Sequence, residues 1–454
     1  MISDFLQEQG WEFASIGEVA EVNPRKPKYD GLTDDAPVGF VPMAAVEESR
    51  GVVSTIEERS LGELRGKSYR TFATGDVLFA KITPCMENGK MAVVPNLPSG
   101  HGFGSTEFHV LRPSRRVDAR YLWHFVRQQT YRRQAERHMT GSVGQLRVPA
   151  EFLRDTQLLL PPISEQRRIV ELLDEVDQEG DAAATNLARV GRLLADFRRA
   201  VLAAACSGRL TEDWRDSHPN ALPVDISKSA VRQRGRKQRQ KSRTDFEVPD
   251  IPEPYVVAPL GAIAAAIEYG TSRKADGDES NVPVLRMGNI RDGSLDLRDL
   301  KYITRDNEID RLLLRDGDLL FNRTNSPELV GKSAVWRGSK SATFASYLIR
   351  VRFHEDAAVP EFVNYWINSA WGRAWARQVK TDGVSQSNIN GTKLGAMPVP
   401  LPPLEEQREI VRRVEKLLKG RDEILAKVSA VSSLLEHSCQ SVIGKAFRGE
   451  IQSD

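Results

Sequence analysis

Apolar residues at Leu187, Val190, Leu194, Phe197 and Val201 recur every three to four positions, the spacing that lines up one face of an α-helix. The stripe returns 241 residues later at Val428, Val431, Leu435, Ser438 and Val442, with Ser438 as a polar interruption. Each stripe is preceded by the same phrase, Leu160-Pro-Pro-Ile-Ser-Glu-Gln-Arg-Arg-Ile-Val170 and Leu401-Pro-Pro-Leu-Glu-Glu-Gln-Arg-Glu-Ile-Val411. A double proline lacks the N–H groups that a helix interior needs but suits a first turn. Ser164 and Glu165, or Glu405 and Glu406, then face the positive helix end. The pattern predicts two long helices running to about Ala205 and Ala446, each ~60 Å at 1.5 Å per residue. Gly180 and Gly420 mark points where they could bend, and Gly191 and Gly444 weaken them locally. Rods with one apolar stripe bury it most economically against each other.

The segments between the rods also repeat. Trp11-Glu-Phe-Ala-Ser-Ile-Gly-Glu-Val-Ala is echoed by Tyr255-Val-Val-Ala-Pro-Leu-Gly-Ala-Ile-Ala. Gly75-Asp-Val-Leu-Phe-Ala-Lys-Ile82 pairs with Gly317-Asp-Leu-Leu-Phe-Asn-Arg-Thr324, each a turn feeding a buried strand. Phe362, Val363, Trp366, Ile367, Ala370, Trp371, Ala374 and Trp375 predict one strongly periodic helix, with a weaker counterpart around Tyr121, Leu122, Phe125 and Val126. Polar loops follow at 140–145 and 381–386. The chain divides into a domain at 1–158, a helical spacer at 159–215, a basic and proline-rich linker at 216–254, a second domain at 255–399 and a second spacer at 400–454. The linker holds eight basic residues and no acid between positions 228 and 243. It reads either as a solvated tether or as a non-specific phosphate contact.

Composition narrows the chemistry. With 64 Lys and Arg against 62 Asp and Glu, net charge favours no partner. Cys85, Cys206 and Cys439 have neither disulfide-framework nor zinc spacing. The opening nine residues lack a signal-peptide layout, and no apolar run approaches a membrane span, so a cytoplasmic protein is expected. Gly331-Lys332-Ser333 ends like a phosphate-binding loop, but Ser326 occupies the place of its first glycine. Phe103-Gly104-Ser105 lacks the partner motif of a methyltransferase, and Asp299-Leu-Lys301 is a lone match to a nuclease triplet. No Gly-x-Ser-x-Gly is present. Residues 112–147 carry nine arginines against Asp118 and Glu136, interleaved with Tyr121, Trp123, Phe125 and Tyr131. That run has the composition of a phosphate-gripping face.

The twice-occurring Leu-Pro-Pro-x-x-Glu-Gln-Arg-x-Ile-Val phrase, each copy following a variable segment, resembles the specificity subunit of type I restriction–modification systems (HsdS) over essentially the whole chain. The resemblance implies an α+β fold with two tandem α/β target recognition domains, separated by two long helices that pack as an antiparallel coiled coil with pseudo-twofold symmetry. It implies a non-catalytic subunit that recognises a bipartite, asymmetric site on double-stranded DNA. Two modification subunits would methylate adenine with S-adenosylmethionine, and two restriction endonuclease subunits would use ATP and Mg. No cofactor is expected on this chain. Candidate DNA contacts are Lys81, Thr83, Lys90, Arg132, Arg133, Ser142 and Gln145 in the first domain. In the second they are Arg286, Asn289, Asn322, Arg323, Asn325, Lys332, Gln386 and Asn388. Candidate partner-docking residues are Glu165, Gln166, Arg167, Glu406, Gln407 and Arg408. A recognition subunit of a type IIB enzyme would share this architecture, and a repeated scaffold without DNA binding would share only the rods.

If the rods act as a ruler, inserting about one helical turn (four residues) within 181–187 changes the spacer of the recognised site and leaves both half-sites intact. Modified-base sequencing reads both; altered half-sites with an unchanged spacer would contradict the ruler.

Overall fold

The computed structural model describes residues 10–48, 50–142, 144–226, 246, 248–275, 278–338, 340–383 and 386–451. The basic run at 228–243 and the opening at 1–9 lie outside the described residues. The chain forms two compact units, Met1–Arg189 with Val428–Asp454, and Val190–Lys427.

In the first unit an antiparallel sheet runs in the order Ala20–Val22, Phe108–Pro113, Val77–Ala80, Met91–Val93. A second sheet orders Glu57–Ser60, Pro37–Val41, His101–Gly104 and Arg70–Ala73, its central pair parallel. The expected Gly-Asp turn is present. Gly75 sits at φ +85°, open to glycine without strain, and every residue of Val77–Ala80 is buried. Asp76 accepts from the Ala73 amide at 2.7 Å and forms a two-pronged pair with Arg112 at 2.9 and 2.8 Å. The second unit repeats this turn: Gly317 at φ +81°, Asp318 on the Arg315 amide at 2.9 Å, and Arg352 on Asp318 at 2.7 and 3.0 Å. Its main sheet runs Ala264–Tyr269, Leu348–Phe353, Leu319–Asn322, Ser333–Val335. A three-stranded sheet of Lys301–Ile303, Val282–Leu285 and Thr343–Phe344 lies in the same unit.

The single helix expected over 362–375 is two helices, Pro360–Asn368 and Ala370–Val379. Ser369 breaks it with an extended ψ of 168° and caps the second helix, accepting from the Gly372 amide at 3.3 Å. Only glycine fits at 372, because a Cβ there would stand 2.3 Å from the Trp366 carbonyl oxygen. Apolar spacing continues across such a break, so periodicity alone joins the two pieces.

The rods are Ile163–Cys206 and Leu404–Ala446, 44 and 43 residues long. Within the first unit, Ile169, Val170 and Leu173 share a core with Ile443, Ala446 and Phe447. Gly180 lets the helices approach: a Cβ there would lie 3.1 Å from Cys439 Sγ. Within the second unit, Val201, Leu202 and Ala205 share a core with Ile410 and Val414. In both units, later positions on one helix meet earlier positions on the other, so the pairing is antiparallel.

The repeated glutamine has a structural reason. Gln166 is fully buried, accepts from the Asp118 amide at 2.7 Å and donates to the carbonyls of Arg116 and Pro161 at 2.9 and 2.8 Å. Gln407 repeats the clasp in register, with the Val359 amide at 2.8 Å and the carbonyls of Ala357 and Pro402 at 3.4 and 3.0 Å. Each clasp ties a rod's first turn to the segment that leads into its own domain's helices.

A buried polar group left without its partner costs about 1–3 kcal/mol. Gln407→Ala strands the Val359 amide and two carbonyls, so the urea midpoint of the full chain should fall by the equivalent of ~2–4 kcal/mol. The exposed control Gln378→Ala should leave it in place; an unchanged midpoint for Gln407→Ala would remove the clasp from the account.

Candidate nucleic-acid interface

In each unit the chain leaves the central buried strand and meets a returning loop. In the first, the Lys81 amide donates to the Glu107 carbonyl at 2.9 Å, the Lys81 carbonyl accepts from Val148 at 2.9 Å, and the Thr83 amide donates to Leu146 at 3.0 Å. In the second, the Arg323 amide donates to the Tyr347 carbonyl at 3.0 Å and the Arg323 carbonyl accepts from Ile389 at 2.8 Å. Thr324–Asn325 then pairs with Ser387–Asn388, which also pairs with Thr381–Asp382. The backbone frames match residue for residue: Lys81 with Arg323, Thr83 with Asn325, Glu107 with Tyr347, Leu146 with Ser387, Arg147 with Asn388.

The side chains on these frames differ in kind. The first cradle is ionic. Arg147 grips Glu107 at 2.9 and 3.0 Å, which holds the Glu107 carboxyl below its usual range. Burial lowers the Lys81 ammonium pKa; Glu107 opposes that, while Arg70 and Arg147 add to it. The second cradle has no acid at the place of Glu107. Arg323 lies over the Tyr269 ring, 4.8 Å from its centre, and Asn388 donates to Thr324 Oγ1 at 2.8 Å. Tyr269 and Tyr347 are 44% and 47% exposed, an unusual outlay of aromatic surface. Neither was singled out by sequence reasoning, since exposure of a strand-end tyrosine has no periodic signature.

The structure gathers Lys81, Thr83, Ser142 and Gln145 at the first cradle and Arg323, Asn325, Gln386 and Asn388 at the second. Ser142 and Gln145 are exposed on the loop that closes back through Arg147 onto Ile82. Other candidates turn inward. Lys90 donates to the Val46 carbonyl at 3.1 Å, and Arg132 is tied to the carbonyls of Arg127 and Glu87. Asn289 is buried, holding its turn through the Asp296 and Asp299 carbonyls at 2.8 and 2.9 Å. Arg286 pairs with Asp299 at 3.0 Å. Asn322 is fully buried, with both side-chain amide atoms lacking a hydrogen-bond partner among the described residues. Arg133 is exposed on the helix Gln129–Arg137; Lys332 is half-buried, its pKa lowered by burial and by Arg373.

The docking candidates divide likewise. Gln166 and Gln407 are spent in the clasps, and Glu406 is fully buried, accepting from Thr211 at 2.7 Å, Arg215 at 2.5 Å and the Tyr255 hydroxyl at 2.8 Å. Arg167 and Arg408 are exposed, and Glu165 is half-buried beside Arg168 at 2.7 Å.

The arginine run at 112–147 is not one phosphate-gripping face. Arg112, Arg116, Arg120, Arg127 and Arg147 hold Asp76, Glu12, Asp174, Asp177 and Glu107 respectively. All five acids lie outside the run, so local charge counting misses them. The Arg120 and Arg127 pairs, with buried His124 at 2.8 Å from Asp174, tie the helix Ala119–Val126 to the first rod.

The family model for the type I restriction modification DNA specificity domain matches residues 8–188 and 253–431. The EcoKI specificity subunit of Escherichia coli K12, a type I restriction enzyme component, is 30% identical over 404 residues, covering 84% of this chain and 80% of that protein. The EcoEI specificity subunit of Escherichia coli is 26% identical over 498 residues, covering 97% and 83%. Among solved structures, a chain from a study of type I R-M complex assembly and conformational transition has the same fold, with a TM-score of 0.68 at 19% identity, covering 97% of this chain and 98% of that one. The HsdS subunit from Thermoanaerobacter tengcongensis superposes at 0.50 with 20% identity, covering 97% of each.

One titration tests the first frame. Burial drops the His109 pKa from 6.5 to about 4. The neutral ring donates to the Val148 carbonyl at 2.8 Å and accepts from Asn23 at 2.9 Å, anchoring the strand next to Lys81. Below pH 6.5 the unfolded chain binds a proton that the native ring refuses, so stability is full above 6.5 and falls as pH drops towards about 4. The loss is ~3 kcal/mol. Urea melts at pH 7 and 4.5 should show a drop that is smaller by about that amount in His109→Gln; equal drops would contradict it.

Proposed function

The chain belongs to the family of type I restriction–modification DNA specificity subunits, and we propose that it reads a bipartite, asymmetric duplex site with one half assigned to each cradle. It is a DNA specificity subunit, the non-catalytic recognition component of such a system. The observation that carries the bipartite reading is the pair of matched backbone frames with unlike side chains: Lys81, Glu107 and Arg147 against Arg323, Tyr347 and Asn388. A repeated frame presents equivalent positions to DNA, and differing donors and acceptors select differing bases.

On this reading the target recognition domains are residues 1–158 and 255–399, and the repeated helical spacers at 159–215 and 400–454 carry two modification subunits. Those subunits methylate adenine from S-adenosylmethionine after rotating the base out of the stack. Two endonuclease subunits supply ATP- and Mg-dependent restriction, and the assembly works in the cytoplasm. Arg167, with half-buried Glu165 on the same first turn, and Arg408 on the first turn of the second rod are the repeat residues left to meet a partner. Arg133 and Lys332 add phosphate contacts that fix orientation without choosing sequence.

Modified-base sequencing of DNA from cells expressing this chain with its cognate modification subunit tests the proposal. The expected result is one methylated motif made of two unlike half-sites around a fixed gap. A palindromic motif would refute the division of labour, and a continuous motif would refute the bipartite reading.

A further inference from the structure

We infer that Arg323 reads a guanine, and that this makes one half-site depend on a G at a fixed position. The inference rests on the half-site reading above and assigns the chemistry of its second cradle.

Arg323 is held, not merely present. Its amide and carbonyl are both hydrogen-bonded into the frame, its Nη1 donates to the Ser346 carbonyl at 3.3 Å, and its guanidinium lies over the Tyr269 ring. Tyr269 is itself fixed, its hydroxyl accepting from the Gly391 amide at 2.7 Å. Among the described residues no carboxylate pairs with Arg323. Arg350 and Arg352, on the neighbouring strand, do have one, meeting Glu268 at 2.6 Å and Asp318 at 2.7 Å, while Arg373 and Arg198 are spent on backbone carbonyls. A half-buried cation aimed by a ring and a carbonyl, with no counter-charge of its own, is poised for a ligand that brings acceptors.

Two acceptors in one plane, at the spacing of the guanidinium fork, are what the O6 and N7 atoms of guanine present in the major groove. A phosphate contact needs no such aiming, since a mobile surface cation serves it. The matched position in the first cradle is Lys81, a flexible point charge beside Glu107 with no ring under it among the described residues, so the guanine is assigned to one half only. Tyr269, under the guanidinium, limits which way the fork can swing.

The test uses the full chain with its modification subunit and a duplex bearing the methylated motif. Each guanine in turn is replaced by 7-deazaguanine, which removes the N7 acceptor and keeps base pairing. We expect one guanine, in one half-site, to weaken binding about tenfold or more. In Arg323→Ala and Arg323→Lys that replacement should have no further effect, and the methylated motif should relax at that base alone. Unchanged discrimination by the variants against a base-pair substitution in the other half-site serves as the control for folding. Tolerance of 7-deazaguanine at every position by the wild-type complex overturns the assignment, as does persistence of the penalty in both variants. So does a uniform, sequence-independent loss of affinity with a shallower salt dependence in the variants, which marks a phosphate contact. Equal binding of the motif and a scrambled duplex by the wild-type complex is a different failure: it overturns the half-site reading itself, and the guanine with it.

Discussion

Burial of the rods' apolar ends is the constraint on which the rest of the structure depends. A lone helix with one apolar stripe is marginal in water, and its stability comes from packing. Here the packing is reciprocal along the sequence. The core of the first unit contains Ile443, Ala446 and Phe447 from the far end of the chain, and the core of the second contains Val201, Leu202 and Ala205 from the rod that begins in the first. Phe447 meets Tyr121 at a tilt, ring centres 4.9 Å apart, and Phe125 edge-on at 5.5 Å, both on the helix Ala119–Val126. The buried glutamine clasps fix the other ends of the rods. Each domain is therefore anchored to a rod start by hydrogen bonds and to a rod end by apolar contact.

Such anchoring frees the cradles from carrying stability. The strands Val77–Ala80 and Leu319–Asn322 are buried and paired on both sides, so the residues just beyond them can vary while the frame stays put. Lys81 and Arg323 leave the same point of the same scaffold, one into an ionic cluster and the other onto an aromatic ring. Changing what is read then means changing side chains on a fixed frame, not rebuilding a fold.

The repeat, the two rods, the Gly-Asp turns and the strands after them were legible in the sequence, because each is a local pattern: a period, a turn dipeptide, a short apolar run. What escaped was set by partners distant in the chain. Arg112 looked like part of a basic face until Asp76 appeared beside it, and Arg127 until Asp177 did. Gln166 and Gln407 read as surface residues of a repeated phrase, yet they are buried because amides and carbonyls some fifty positions away need them. Ser369 ended a helix whose apolar spacing ran on, through a capping bond that periodicity does not register. Tyr269 drew no notice because its role exists only once Arg323 lies over it.

The central claim, that the far end of the second rod completes the core of the first unit, is tested most directly by hydrogen exchange on the full chain carrying Phe447→Ala. The account predicts faster exchange in the helices Ala119–Val126 and Gln129–Arg137, with amides of Val190–Lys427 unchanged. Unaltered protection of those two helices would contradict it.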